Sequence, residues 1–195
     1  EQENAQMVKD IAGEYGLETY SDPVNSNRLQ EEISQYDADL GIIMNFDQKI
    51  PPELIDIPRD GIWNVHQSDL PKYRGGTPLE YIIANGDEFG VSVHNVTSEF
   101  DRGDIVYKSS PIKIWDMDIE ELYYFSSKQS ALAMDAALNQ YVNDDYELTP
   151  QTEINASQAN CKDLEALLRI NWKEDEGEKI FRKILAGGAI SAVNV

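Results

Sequence analysis

The chain has 195 residues, 41% hydrophobic and 27% charged, which is long enough for one sizeable core and short for several domains. Sixteen basic residues against 36 acidic ones give a formal net charge of -20, which disfavours nucleic acid as a general partner. A single cysteine, Cys161, excludes an internal disulfide, and no run of about 18 apolar residues could span a membrane. We therefore expect a soluble, cytoplasmic protein.

The first third of the sequence predicts helices that alternate with short strands. Apolar residues at helical spacing predict a first helix that ends near Gly16, and residues 29–33 mark a second. Residues 40–44 (LGIIM) are typical of a strand buried on both faces of a parallel sheet. Residues 51–55 suit a helical turn that begins with proline, and residues 61–66 (GIWNVH) predict the next strand. This alternation indicates a doubly wound α/β fold.

The middle of the chain carries the clearest helix starts. Residues 77–80 (TPLE) supply an N-cap hydroxyl, a proline at the first helical position and a glutamate three residues after the cap. Residues 91–96 and 105–107 predict two strands of an antiparallel hairpin beside the parallel sheet. Residues 118–121 (DIEE) form a second capping pair, and they begin a long amphipathic helix that ends near Tyr141.

The last quarter of the chain has a different character. Residues 143–163 are polar without a clear period, so we predict a linker there. Residues 164–195 predict two short helices, and we interpret the acidic stretch at 172–177 between them as a solvated turn. We therefore expect one α/β domain over residues 1–142, with a doubly wound, mostly parallel sheet, an antiparallel hairpin and a short C-terminal extension.

The two histidines, His66 and His94, both lie on predicted strands. Asn64 precedes His66 by two residues and therefore points to the same face. A lone histidine on a strand is more often a structural hydrogen-bonding group than a catalyst. However, a loop rich in proline and glycine at residues 67–78 follows His66 and leads into a capped helix. Ligands of open α/β sheets bind at such carboxyl ends of strands, so this region is the candidate site.

Residues 64–75 (NVHQSDLPKYRG) resemble the signature of the folate-dependent formyltransferases. This family includes methionyl-tRNA, glycinamide ribonucleotide and sugar-amine formyltransferases. Residues 90–94 (GVSVH) and 100–106 (FDRGDIV) resemble its second motif, a strand followed by an Asp-x-Gly turn. The likeness extends upstream through residues 39–51 and downstream to residues 169–172, and so covers most of the chain. It implies the Rossmann-like fold of these enzymes.

The resemblance places the family's catalytic residues at Asn64, His66 and Asp101. It implies transfer of a formyl group from N10 of 10-formyltetrahydrofolate to a primary amine, without a metal. We expect Asn64 and a protonated His66 to donate hydrogen bonds to the developing oxyanion, each typically worth about 2.7–4 kcal/mol. Asp101 would favour the charged imidazole and help to take the proton that the amine loses.

By the same resemblance, folate binds between the loop at residues 46–50 and the loop at residues 97–101. The residues expected there are Phe46, Gln48, Ile50, Ser98, Glu99 and Asp101. Backbone groups usually recognise the pterin in this family, and ordinary packing explains Phe46 and Ile50 equally well. The candidate substrate contacts are Ser68, Arg74 and Gly75, of which Ser68 is expected to fix the loop after His66. For His94 we favour a structural role in the sheet.

The family normally begins with a strand and a glycine-containing loop beside the phosphate of the acceptor, and this sequence begins after them. We therefore expect that residues 1–142 are a catalytic domain without its first strand. Because loss of that strand would expose a central edge of the sheet, we expect a truncated chain rather than a shortened enzyme. Residues 164–195 could begin a second domain, as in methionyl-tRNA formyltransferases.

The amine acceptor is the least determined part of the function. The net charge of -20, with no basic cluster beyond Arg182 and Lys183, disfavours tRNA without excluding it. We therefore expect a small amine acceptor, a nucleotide-linked amino sugar. A homodimer is the candidate oligomeric state. The alternatives are a methionyl-tRNA formyltransferase, a formyltetrahydrofolate deformylase, which passes the formyl group to water, and an inactive folate-binding relative.

Overall fold

The computed structural model describes residues 2–46 and 48–188, which contain seven α-helices and four β-strands. Asp47, in the first predicted folate loop, and residues 189–195, at the end of the predicted extension, lie outside the described residues. The helices are α1 (Gln2–Glu14), α2 (Asn27–Ser34), α3 (Pro52–Ile55), α4 (Pro78–Asn85), α5 (Ile119–Val142), α6 (Leu164–Leu168) and α7 (Gly177–Gly187). Within these residues, no helix combines the length and the apolar character needed to cross a membrane.

The strands form one mixed sheet in the order β1 (Gly41–Met44), β2 (Ile62–His66), β3 (Ser92–Asn95) and β4 (Ile105–Lys108). β1 and β2 are parallel, whereas β2 and β3, and β3 and β4, are antiparallel. The α/β class and the hairpin are confirmed, but the described sheet is mixed rather than mostly parallel. The connection from β2 to β3 is long enough for a parallel crossover, so its length did not indicate the reversal.

Strand β1 is at the edge of this sheet, and only one of its faces is covered. Ile42 and Met44 are 48% and 41% exposed, so the prediction of a strand buried on both faces is wrong. An apolar run reveals hydrophobic content but not how many layers cover the strand. The covered face joins a small apolar cluster formed by Val24, Leu29, Ile33, Ile43, Ile50, Leu54, Ile55, Ile57, Ile62 and Val96.

The main core lies between the sheet and helices α4 and α5. Its largest fully buried side chains include Trp63, Leu79, Ile82, Phe89 and Leu122. Because successive side chains on a strand point to opposite faces, Trp63 enters this core while the residues on either side of it face away. The core therefore anchors β2, and the alternate face of the strand carries Ile62 of the small apolar cluster and the polar Asn64 and His66.

Helix α4 forms where it was predicted, but its start is held differently. The hydroxyl of Thr77 makes no cap and donates instead to the carbonyl oxygen of Ala159 at 3.2 Å. Glu80 is buried and accepts a hydrogen bond from the hydroxyl of Tyr123 at 2.7 Å. Gly86 ends the helix in the left-handed conformation, as expected. Tertiary partners have therefore replaced the local capping interactions.

The polar segment at residues 143–163 is held along much of its length. Thr149 exchanges two backbone hydrogen bonds of 2.8 Å with Ile105 of β4. Further along, the backbone N–H of Ala159 donates to the carbonyl oxygen of Arg74 at 2.7 Å. Backbone hydrogen bonds do not require a periodic pattern of apolar side chains. The sequence pattern therefore did not predict this pairing. The division into a domain, a linker and an extension stays a prediction.

Helix α5 offers a direct test of the core. It begins at the predicted capping box, in which the Asp118 carboxylate accepts from the Glu121 N–H at 2.9 Å. Leu122 is fully buried on it and Leu132 is 62% exposed. We expect Leu122→Ala to lower the free energy of unfolding by about 2–5 kcal/mol. The matched Leu132→Ala should change it by less than about 0.5 kcal/mol in urea denaturation. Equal losses would contradict this description of the core.

Candidate active site

A cleft of about 1040 Å³ lies over the polar face of β2 and β3. The three predicted catalytic residues, Asn64, His66 and Asp101, all line it. Nδ1 of His66 is 3.7 Å from Oδ2 of Asp101, and both side chains are almost fully buried. The structure thus brings these three residues to one cleft, with a further residue between Asn64 and Asp101, and their catalytic role stays a prediction.

That further residue is His94, for which the sequence favoured only a structural role. Its Nε2 lies 3.2 Å from the amide nitrogen of Asn64 and 3.4 Å from Oδ1 of Asp101. Its Nδ1 donates to the carbonyl oxygen of Asn95 at 2.8 Å, so in the neutral ring Nε2 accepts from Asn64. The antiparallel register places His94 directly opposite Asn64, and this register could not be read from the sequence. His94 therefore belongs to the site.

Asp101 has an unusual backbone conformation that the surrounding turn stabilises. Its φ is 53°, in the left-handed region that aspartate tolerates better than most residues. The backbone N–H of Gly75 donates to Oδ2 of Asp101 at 2.8 Å. Two residues on, a Cβ at Gly103 would lie only 1.8 Å from the carbonyl oxygen of Asn95. The Asp-x-Gly pattern thus reflects a turn that only glycine can close.

The hydrogen bonds around Asp101 determine its charge. Burial alone would raise the pKa of this carboxyl group. The hydrogen bond with His94, the positive charges that His66 and His94 carry in acid, and the N–H of Gly75 act in the opposite direction and prevail. They lower the pKa of Asp101 to about 2, so the group is a carboxylate at any physiological pH.

His66 is held in a defined orientation and is neutral at rest. Burial lowers its pKa more than the Asp101 carboxylate and the Tyr73 carbonyl group raise it. Its Nε2 lies 2.8 Å from the carbonyl oxygen of Tyr73, which can only accept, so Nε2 carries the hydrogen. The unprotonated Nδ1 then faces Asp101. Desolvation therefore outweighs the nearby carboxylate and favours a neutral imidazole, in place of the protonated His66 that the resemblance implied.

The predicted folate-binding residues lie where they were expected. Phe46, Gln48, Ile50, Ser98 and Glu99 line the same cleft as Asp101. Of these, Ile50 is also part of the small apolar cluster beneath β1. The Ile50 side chain therefore lines the cleft and also packs in this cluster. Whether this set binds folate stays a prediction.

The candidate substrate contacts divide into one that lines the cleft and two that do not. Gly75 lines it. Ser68 is fully buried, and its hydroxyl donates to the carbonyl oxygen of Lys72 at 2.6 Å, which fixes the loop as predicted but leaves no contact for a ligand. Arg74 is 1% exposed and is occupied by Gln151 and Glu153. Assigning Ser68 and Arg74 to the substrate was therefore wrong, because both are used inside the protein.

Sequence reasoning missed the part of the cleft that is lined by helix α5 and by the end of the predicted linker. The residues are Tyr123, Ser127, Gln158, Asn160, Cys161 and Lys162. Burial and the hydrogen bond to Glu80 raise the pKa of the Tyr123 hydroxyl. Tyr123 and Ser127 are four residues apart and so share a helix face, a signal that was present in the sequence. Among the described residues, no group of three or more His, Cys, Asp or Glu side chains could hold a metal ion.

The ionisation of His66 can be measured directly. We expect nitrogen chemical shifts at pH 7 to show a neutral imidazole with its hydrogen on Nε2, and its pKa to lie below the ordinary 6.5. Because the folded pKa is below that of the unfolded chain, His66 should reduce stability as the pH falls through about 6.5. A ring that is still protonated at pH 7, or that carries its hydrogen on Nδ1, would contradict this assignment.

Comparison with known proteins agrees with the resemblance seen in the motifs. The model of the formyl transferase family matches residues 1–137. The methionyl-tRNA formyltransferase of Staphylococcus aureus (strain MW2) is 32% identical over 182 residues, which are 91% of this chain and 57% of that protein. The chain spans about a third to three fifths of the length of the curated relatives that it matches.

Solved structures share the fold at lower sequence identity. A sugar N-formyltransferase from Shewanella sp. FDAARGOS_354 superposes with a TM-score of 0.69 at 21% identity and covers 85% of this chain and 66% of its own. An N-formyltransferase from Helicobacter canadensis, solved with folinic acid and dTDP-3-aminofucose, gives a TM-score of 0.69 at 23% identity. That alignment covers 90% of this chain and 61% of the other.

Proposed function

The chain belongs to the formyl transferase family, and from this premise we propose that it transfers a formyl group from 10-formyltetrahydrofolate to a primary amine. One observation carries the proposal. Asn64, His66 and Asp101 line a single cleft, where Nδ1 of a buried His66 faces the Asp101 carboxylate at 3.7 Å. A base beside an ionised carboxylate suits a reaction in which an amine must lose a proton.

The proposed reaction begins when the amine nitrogen attacks the formyl carbon. A carbon–nitrogen bond forms and the formyl oxygen becomes an oxyanion, to which the free N–H of the Asn64 amide can donate. Nδ1 of neutral His66 accepts the proton that the amine loses, and the nearby Asp101 carboxylate stabilises the resulting imidazolium. The bond from carbon to N10 then breaks, and the imidazolium returns its proton to N10. The products are the formamide and tetrahydrofolate.

Two features of the cleft support a folate donor. Residues from both predicted folate loops line it, and Phe46 and Ile50 give it apolar surface. Its volume of about 1040 Å³ is slightly above the roughly 300–1,000 Å³ typical of ligand pockets, which leaves space for an acceptor as well. The Helicobacter canadensis neighbour was solved with folinic acid and a nucleotide-linked amino sugar together.

For the acceptor we propose a nucleotide-linked amino sugar. The net charge of -20 opposes binding of a nucleic acid backbone, and the sugar N-formyltransferases share the fold over 85–90% of this chain. A second candidate is the formylation of methionyl-tRNA. It is favoured by the 32% identity over 182 residues to the Staphylococcus aureus enzyme.

We expect a formyl-transfer assay with 10-formyltetrahydrofolate to yield a formamide and tetrahydrofolate only when a dTDP-linked amino sugar is added. Asn64→Ala and His66→Ala should each lower kcat/KM by about a hundredfold or more, because each removes a donor or the base. Asn139→Ala, the same change on the exposed surface of α5, should leave the rate unchanged. Activity of Asn64→Ala within a few-fold of the parent would contradict the proposed mechanism.

The same assay separates the alternatives. Release of formate without an amine would identify a deformylase. If the protein formylates methionyl-tRNA but does not formylate an amino sugar, the second candidate is favoured. A folded protein that binds the folate but turns over neither acceptor would be an inactive relative, and the proposed activity would be wrong.

A further inference from the structure

A hydrogen-bond network links the Asp101 turn to the predicted linker. At its centre, Arg74 is 1% exposed, and its Nε and Nη2 donate to the side-chain oxygen of Gln151 at 3.1 and 2.9 Å. Its Nη1 donates to the Glu153 carboxylate at 3.1 Å. A buried guanidinium is tolerated only when its donors are satisfied, so this arrangement is strongly preferred.

The side-chain amide of Gln151 connects Arg74 to the Asp101 turn. Its nitrogen donates to the backbone carbonyl oxygens of Asp101 at 2.9 Å and Gly103 at 2.8 Å. A guanidinium has only donors, so Arg74 requires the amide oxygen to face it. The NH₂ group must then face the turn, where both of its hydrogens are used. Arg74 thereby fixes the orientation of the Gln151 amide.

The turn needs such support because its conformation is strained. Asp101 has a positive φ, and the turn continues into Gly103, whose close approach to Asn95 leaves no space for a side chain. The carboxylate itself is held by the N–H of Gly75, the residue next to Arg74. The loop of Arg74 and Gly75 therefore restrains Asp101 at its carboxylate directly and at its carbonyl through Gln151.

We propose that Gln151, oriented by Arg74, is a positioning residue that holds the Asp101 carboxylate beside His66 and His94. Neither Gln151 nor Arg74 lines the cleft, so both act through Asp101 rather than on a ligand. The effect on rate rests on the proposed function, whereas the placement of Asp101 can be measured without any turnover.

The variant Gln151→Glu tests this role. It keeps oxygen atoms for Arg74 but replaces both N–H donors, so its carboxylate opposes the carbonyl oxygens of Asp101 and Gly103. We expect kcat to fall by about tenfold or more, because small displacements of a reacting group are costly, while KM for the folate changes far less. The amide proton shift of Gly75, which reports its hydrogen bond to Asp101, should also move.

The control is Gln35→Glu, the same substitution at an exposed position at the end of α2, which should leave the rate and the Gly75 shift unchanged. If Gln151→Glu does not fold, Gln151→Asn keeps a neutral amide that is too short to reach both partners. Like Gln151→Glu, this variant should lower kcat and move the amide proton shift of Gly75.

The two readouts separate failure of the positioning role from failure of the proposed function. If the parent transfers no formyl group but Gln151→Glu moves the Gly75 shift, the positioning role stands and the proposed function fails. If the parent is active and a folded Gln151 variant leaves the Gly75 shift unchanged, the positioning role is overturned, whatever happens to the rate.

Discussion

The burial of the Asp101 carboxylate is the constraint on which the rest of the site depends. A buried carboxylate is unfavourable unless hydrogen bonds and opposite charges compensate for the lost water. Here the N–H of Gly75, in the loop after β2, donates to the carboxylate, and the rings of His66 on β2 and His94 on β3 add positive charge when they are protonated. The sheet register and the loop path must therefore be right before the charge can be accommodated.

The reversal of strand direction at β3 is what makes this arrangement available. The antiparallel register sets His94 opposite Asn64, and the chain leaving β3 then turns through Asp101 back to the same face. The polar segment that follows α5 completes the enclosure by pairing its backbone with β4 and with the Arg74 loop. Groups separated by up to about ninety residues in the sequence thus act on one carboxylate. A substitution at any of them should therefore alter the position of the Asp101 carboxylate.

The parts that sequence reasoning predicted and those that it missed differ in physical origin. The helix starting at Asp118, the hairpin, and the trio of Asn64, His66 and Asp101 depend on local patterns or on contiguous motifs. The protonation of His66 and the role of His94 depend on burial and register, which no local pattern contains. Arg74 lies in a loop, where a charged side chain is usually exposed, whereas tertiary partners bury it here.

The proposed function requires this cleft to hold a folate formyl donor against Asp101. Calorimetric titration of the chain at pH 7 with 5-formyltetrahydrofolate, a stable analogue of the donor, measures this binding. We expect saturable binding that Asp101→Ala weakens by about tenfold or more and that Asp135→Ala, on the exposed surface of α5, leaves unchanged. No binding by a folded sample, or binding that is indifferent to Asp101, would contradict it.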